Sequence, residues 1–357
     1  MQENRPVIRS GPPIAIAVLI LITAASPAFG VARFQRADPP PSDTVLFSSP
    51  EMLEAWLEVD LERLLADVGN DRHEHLGRWS HMNGDGTTTE MSVFVRTRGN
   101  FRRQPEICSF PPLRLRFRDD QIGSTLFANQ DKLKLVTHCR TDDREYQQYL
   151  LEEYLLYEVY QIVSDVSFRV RLARVTYADR RQNLPRIMRG AFFLEDKDAM
   201  AARLGGTIVK KGERAGELDA ATTATLEVFQ YLIGNVDWSV DDHDNIEVVE
   251  IGGVYHPVPV DFDLAGVIAP PYAEPNEALG VRRVGDRVFR GACRPRGELD
   301  AALSRFNERK DDIYALYRSF PLLEDGRRER ALAYYDEFFD IIGDDQRIER
   351  EFTARCP

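Results

Sequence analysis

Apolar and polar residues alternate over much of the chain between residues 91 and 136. In MSVFVRTRG the inward positions are Val93, Val95 and Thr97; in PPLRLRF they are Leu113, Leu115 and Phe117; in DKLKLVTHC they are Leu133 and Leu135. Period-two alternation predicts half-buried antiparallel strands. The period then changes. REYQQYLLEEYLLYEVYQIV sets Tyr146, Leu150, Tyr154, Leu155, Val159 and Ile162 on one broad helical stripe, with Glu152 and Glu153 in its middle. FRVRLARVTYA and RGAFFLED return to strand, the second ending at Glu195, and DKDAMAARL is a short helix stopped by Gly205-Gly206. Residues 46–67 mix both periods, with Leu61, Leu64 and Leu65 favouring a helix. RHEHLGRWSH reads as a solvated loop whose His73, His75 and His81 do not make a zinc site.

After Gly212 the pattern is mostly helical. Leu226, Phe229, Leu232 and Ile233 recur at helical spacing, and residues 298–320 and 329–342 carry charged outer faces. IEVVEI and VYHPVPV flank Gly252-Gly253, which predicts a β-hairpin. The expected fold class is α+β with two lobes: a strand-rich N-lobe over 46–212, built on an antiparallel sheet and one long helix, and a mainly helical C-lobe over 213–357. The cleft between them is the expected ligand site.

Ahead of these lobes, Arg5 and Arg9 precede the apolar run of residues 12–25, and small residues follow. This is the three-part pattern of a secretory signal over residues 1–30, leading into a Pro-rich linker over 31–45. The protein is therefore expected to be exported, to the periplasm, cell envelope or medium, and to meet a membrane only through that signal or anchor. Cys108, Cys139, Cys293 and Cys356 make an even count, which in an exported chain reads as disulfides. Three connectivities are open; Cys108–Cys139 with Cys293–Cys356 is favoured, because the first two flank strand-like runs. A net charge of −12 supplies no basic footprint for nucleic acid.

One stretch stands apart. GNVDWSVDDHDN, residues 234–245, directly follows the Leu226–Ile233 helix, directly precedes the hairpin, and the hairpin runs into Asp261, Phe262 and Asp263. Buried carboxylates are costly without a partner, and hard oxygen ligands suit a divalent cation. Helix, Asp/Asn loop, hairpin and Asp is also the order in which protein kinases arrange their chemistry. On that pattern Asp237 handles the acceptor hydroxyl proton, and Asn245, Asp261 and Asp263 hold Mg²⁺ or Mn²⁺ on the phosphates of ATP. Asn245 stands eight residues after Asp237, against five in the usual kinase loop.

More specifically, Asn235, Asp237, His243, Asn245, Pro259, Asp261, Asp263 and Gly266 resemble the core motif of the CotH-like kinases, the spore-coat protein H family. Gly190, Phe192, Glu195 and Asp198 are similar to that family's strand-then-Glu segment, and RTRGNFRR to its Arg-Gly-Asn turn. The resemblance covers roughly residues 91–268. The order RGNFRR, FPPLRL, KLKLVTHC, GNVDWS also resembles an exported bacterial group of unassigned function. The resemblance implies a kinase-like fold and transfer of the ATP γ-phosphoryl to a hydroxyl, with an envelope protein as one candidate acceptor. On the nucleotide side the residues themselves offer Arg98, Arg102 and Arg103 around Gly99-Asn100 as a phosphate-facing turn, and Lys134 or Lys132, which alternate with core leucines, to reach phosphates and pair with Glu152 or Glu153, with Glu195 from the family-like segment. This sequence inserts Asp244 between His243 and Asn245 and contains no GxGxxG. Two other readings remain: a non-catalytic envelope-binding protein, and a metal-dependent phosphohydrolase.

Overall fold

The computed structural model describes residues 45–357, apart from 131, 212–216, 355 and 357. The expected signal at 1–30 and the linker up to residue 44 lie outside the described residues. Seven strands form a closed barrel: β1 (Leu53–Val59), β2 (His75–Met82), β3 (Thr88–Thr97), β4 (Leu113–Phe117), β5 (Lys132–Val136), β6 (Val170–Asp179) and β7 (Ile187–Leu194). Around the barrel the order is β1-β2-β3-β4-β5-β7-β6. Every pairing is antiparallel except the seam, where β1 runs parallel to β6 from Leu53↔Ala173 to Val59↔Asp179.

This corrects the expected two-lobed kinase-like fold with an antiparallel N-lobe sheet. Alternation identifies a buried face, but it does not report which strand lies alongside or in which direction. The first strand was hidden where residues 46–67 mixed periods: Leu53, Ala55, Leu57 and Val59 face inward, and the short helix α1 (Leu61–Ala66) follows at once. RHEHLGRWSH is likewise a strand from His75 onward and not a loop throughout. Trp79 and His81 point into the barrel with no exposure, while Arg78 and Ser80 face out. Closure removes the sheet edges and lets side chains fill the interior. Trp79 sits edge-on to Phe117, Phe127 and Phe193 at 5.7–6.3 Å.

A second apolar layer lies on the outer face of β5, β6 and β7. Leu135, Phe193 and Val175 point inward, whereas Val136, Phe192, Leu194 and Leu172 point outward beneath the long helix α3 (Glu145–Val163). These strands are buried on both faces, which gives near-continuous apolar runs such as AFFL. A short α2 (Asp119–Ile122) precedes β5, and α4 (Lys197–Arg203) leads from β7 to the small sheet β8 (Thr207–Val209), β9 (Ile246–Ile251) and β10 (Val254–Pro259). Helices α5 (Ala220–Ile233), α6 (Arg296–Glu308), α7 (Lys310–Ser319) and α8 (Asp325–Ile342) complete the layer around α3, followed by a short α9 (Asp345–Ile348). The described residues belong to one compact unit.

Both disulfides join the favoured pairs, Cys108–Cys139 and Cys293–Cys356. They point to an oxidising, exported environment. Among the described residues no helix is long and apolar enough to cross a membrane.

Two histidines are buried among aromatic rings. Burial, then the charge of Arg171, pushes His81 down to about 4 from 6.5; burial, then Arg189, pushes His138 down to about 3. Both folded values lie below the unfolded one, so the folded state binds fewer protons. Their contribution to stability is complete above pH 6.5 and is lost as pH falls from 6.5 toward 3–4. Each histidine then removes about 1.4 kcal/mol per pH unit. Urea unfolding at a series of pH values is expected to show this slope below 6.5, flattened in a His81→Leu, His138→Phe double variant. An unchanged slope in that variant would contradict the assignment.

Candidate functional site

Segments far apart in sequence meet where α3 passes the end of β5. The loop between β3 and β4 brings Arg98 and Arg102, β5 brings Lys134, and α3 brings Glu153 and Tyr157. The loop after α5 brings Asp237, Asp244 and Asn245, and the exit of β10 brings Asp261 and Asp263. They line two adjoining cavities of about 230 and 300 Å³, which share Arg98, Arg102, Asp244, Asn245 and Asp261. Lys134 opens into the first and Asp237 into the second. A larger cavity of about 390 Å³ lies elsewhere, between the start of α3, β6, β7 and Leu322. Its lining of Arg144, Arg174, Arg189 and aliphatic residues holds a single carboxylate, Glu324, and no group of acids to do chemistry.

The loop 234–245 is built to hold Asp237. Helix α5 ends on Gly234, whose φ of +66° caps the helix in the left-handed region. A side chain there is also excluded by space, because an added Cβ would lie 2.0 Å from Tyr334 Oη. Asn235 Oδ1 accepts from the Asp237 N–H at 3.0 Å, and Trp238 Nε1 donates to the Asn235 carbonyl at 3.2 Å. Trp238 is anchored among Val209, Leu226, Ile246 and Val248. Arg290 donates to the carbonyls of Val236 and Trp238 and lies over the Trp238 ring. The Cys293–Cys356 disulfide fixes the chain just beyond Arg290.

The unusual spacing between Asp237 and Asn245 is absorbed by a pinched turn. Ser239 and Asp244 exchange backbone hydrogen bonds at 2.9 Å in both directions, and Ser239 Oγ donates to Asp242. Asp242 is thus a turn residue, and Asp241 is exposed. Asn245 comes back to donate from Nδ2 to the Asp237 carbonyl at 2.7 Å and to its carboxylate at 3.0 Å. His243, Asn245 and Asp261 all hold positive φ, 49°, 51° and 66°. Left-handed backbone at non-glycine residues costs about 1–2 kcal/mol each and clusters at functional sites.

Charges in the cleft are uneven. Burial, then Asp244 and Asp261, raises the Asp237 carboxyl above the usual range. Burial alone would raise Asp261, but Arg102 and Arg98 hold it below that range, and its N–H donates to the Tyr157 hydroxyl at 2.9 Å. Burial, then the charge of Arg98, lowers Lys134 to about 8. Among the described residues neither Arg98 nor Lys134 has an ion-pair or hydrogen-bond partner for its side chain. The cleft therefore presents two cations without a direct ion pair or hydrogen bond, with Asp261 as the carboxylate whose charge they favour.

Not every expected site residue is here. Lys132 is exposed on β5, opposite Arg116. Glu152 is buried on another side of α3, where Arg327 donates to it at 2.9 Å and ties α3 to α8. Glu195 is fully buried and accepts from Arg203 at 2.7 and 2.8 Å and from the Arg169 N–H at 3.0 Å, holding α4 to the end of β7. Glu153 is in the cleft, but its partner is Arg102 at 2.9 Å and not a lysine. Tyr157 and Arg290 carry no signal in the sequence: the tyrosine sits within an apolar stripe, and the arginine lies in a segment without periodicity. His73 and His75 lie beside Asp67 while His81 is inside the barrel, so the three do not converge.

As to a metal, the donor chemistry fits at one place. Asn245 spends its Nδ2 on Asp237, which leaves its Oδ1 as a hard oxygen, and Asn245 and Asp261 line both cavities. Asp263 and Glu153 are turned to Arg102 instead. Among the described residues no three His, Cys, Asp or Glu side chains converge on a metal-sized space.

Two outcomes test this geometry. Gly234→Ala should destabilise the protein by more than ~1 kcal/mol in urea unfolding, since it adds left-handed strain to the Tyr334 clash; an unchanged midpoint contradicts the close approach. Lys134 should react with an amine-selective reagent with a midpoint near pH 8, against about 10.4 for an ordinary lysine, and phosphate should slow the reaction. A midpoint near 10 would contradict its burial beside Arg98.

No protein-family model matches the chain, and none of the curated proteins matches it.

Proposed function

We propose that this cleft is the active site of an exported, metal-assisted phosphotransferase that moves the γ-phosphoryl group of ATP to a hydroxyl acceptor. The observation that carries the reading is the placing of two cations, Arg98 and Lys134, which make no direct ion pair or side-chain hydrogen bond among the described residues, with the Asp237–Asn245–Asp261 group across one wall shared by two cavities. Phosphate oxygens are what such cations recognise, and a carboxylate in the next cavity is where a hydroxyl would be activated. The loop–hairpin–DFD motif, which resembles that of the CotH-like kinases, supports the same reading. The barrel replaces the kinase architecture, so the proposal rests on the cleft alone.

The roles follow from the side chains. Arg98 and Lys134 bind phosphate oxygens in the first cavity, where Val136, Leu194, Ile246 and Val260 add an apolar wall. Asp237 takes the acceptor proton in the second cavity; burial with Asp244 and Asp261 makes its carboxylate more basic, and the hydrogen bond from Asn245 orients it. Asn245 Oδ1 and the Asp261 carboxylate would hold Mg²⁺ or Mn²⁺, which when bound neutralises charge on the transferring group. An acceptor in an exported compartment would be an envelope protein or another hydroxyl-bearing molecule.

ATP with Mn²⁺ at about a hundredfold over Kd should stabilise the protein by about 2.7 kcal/mol, a rise of several degrees in a thermal-shift assay. Asp237→Asn should keep that rise and lose about 10²–10⁴-fold in transfer, whereas Asp261→Asn should lose the rise itself. No shift with ATP and Mn²⁺ in the native protein would sink the proposal. Phosphate release from a simple ester without ATP would favour a phosphohydrolase instead.

A further inference from the structure

Arg102 makes an unusual set of contacts. Its Nη1 lies 2.9 Å from Glu153, its Nη2 2.9 Å from Asp261 and its Nε 3.0 Å from Asp263. All three carboxylates converge on one guanidinium whose own side chain is 9% exposed. Glu153 and Asp263 are 3% and 11% exposed, while Asp261, at 38%, is the most open of the three to the cleft. Buried carboxylates need a cation, and here the chain supplies it.

We infer that Arg102 is the resident cation of this acidic group, standing where a second divalent ion would otherwise bind. It confines the cleft to one divalent cation, at Asn245 and Asp261, and Asp263 is a positioning residue for Arg102 and not a metal ligand. The location of the single outer ion rests on the phosphotransferase reading; the role of Arg102 does not. The geometry favours a fixed guanidinium over a mobile one. Arg102 sits on a loop closed at its far end by the Cys108–Cys139 disulfide, and the Phe110 N–H donates to the Cys139 carbonyl at 2.8 Å. A planar fork that satisfies carboxylates from α3 and from the β10 exit also fixes the distance between them.

The test is a titration of the full chain with Mn²⁺ alone, following free ion by electron paramagnetic resonance. The native chain should take one Mn²⁺. Asp263→Asn should still take one, with affinity within about threefold, and Asp261→Asn should weaken binding at least tenfold. Arg102→Gln frees three carboxylates, and should either take a second ion or bind the first at least tenfold more tightly. Tenfold weakening by Asp263→Asn would overturn the inference without needing the arginine variant to fold. So would two ions on the native chain, or no Mn²⁺ on any form, Arg102→Gln included. If the native chain takes none while Arg102→Gln takes one, the resident-cation role stands and the metal dependence of the proposed phosphotransferase falls.

Discussion

One buried guanidinium ties the barrel to the rest of the molecule. Arg102 leaves the β3–β4 loop, reaches Glu153 on α3, and ends on Asp261 and Asp263 beyond β10. Those elements belong to different hydrophobic layers: the barrel interior on one side, and α3 with its surrounding helices on the other. Apolar packing sets the layers, but it is non-directional and leaves their polar rims free to slide. The hydrogen bonds of Arg102 to Glu153 and Asp261, with its ion pair to Asp263, fix the rim. Removing Arg102 itself would leave buried carboxylates uncompensated, at a cost of about 3–5 kcal/mol.

That constraint explains the division of labour in the cleft. With Glu153 and Asp263 turned to Arg102, Arg98 and Lys134 are left without a direct ion pair or side-chain hydrogen bond among the described residues, and Asp261 is the most exposed of the three carboxylates on Arg102. On the other wall, Asp237 is held from below by Asn235 and from the side by Asn245. Trp238 and Arg290 secure the loop to its apolar footing, and both disulfides lie on segments that carry cleft residues or their supports. Rigid supports of this kind are what positioning of a reacting group requires.

Much of this was legible in the sequence, and the failures have physical causes. The strands at 91–136, the long helix with Glu153, the helix ending at Ile233 and the hairpin around Gly252-Gly253 all follow from periodicity. Asp237, Asn245 and Asp261 stood out because carboxylates and amides were crowded between a helix and a hairpin. What periodicity misses is partnership. It could not reveal that β1 lies parallel to β6, because the contact spans more than a hundred residues and leaves no local trace. It misread β2, where His75, Arg78 and His81 mask a strand whose buried face is only Gly77, Trp79 and His81. The lysine–glutamate pairing failed for the same reason. Glu152 and Glu153 are adjacent on one helix, point to different sides, and each meets an arginine distant in sequence. The extra residues before Asn245 look like a disruption of the motif, yet the Ser239–Asp244 turn returns Asn245 to Asp237.

The central claim is that the Arg98–Lys134 side of the cleft receives phosphate groups, with a single cation on Asn245 and Asp261. A crystal structure with a non-hydrolysable ATP analogue and Mn²⁺ tests it most directly. The phosphates should lie between Arg98 and Lys134, the anomalous Mn²⁺ peak on Asn245 Oδ1 and Asp261, and Asp263 should still be on Arg102. A nucleotide bound elsewhere, or Mn²⁺ on Asp263 with Arg102 swung away, would contradict it.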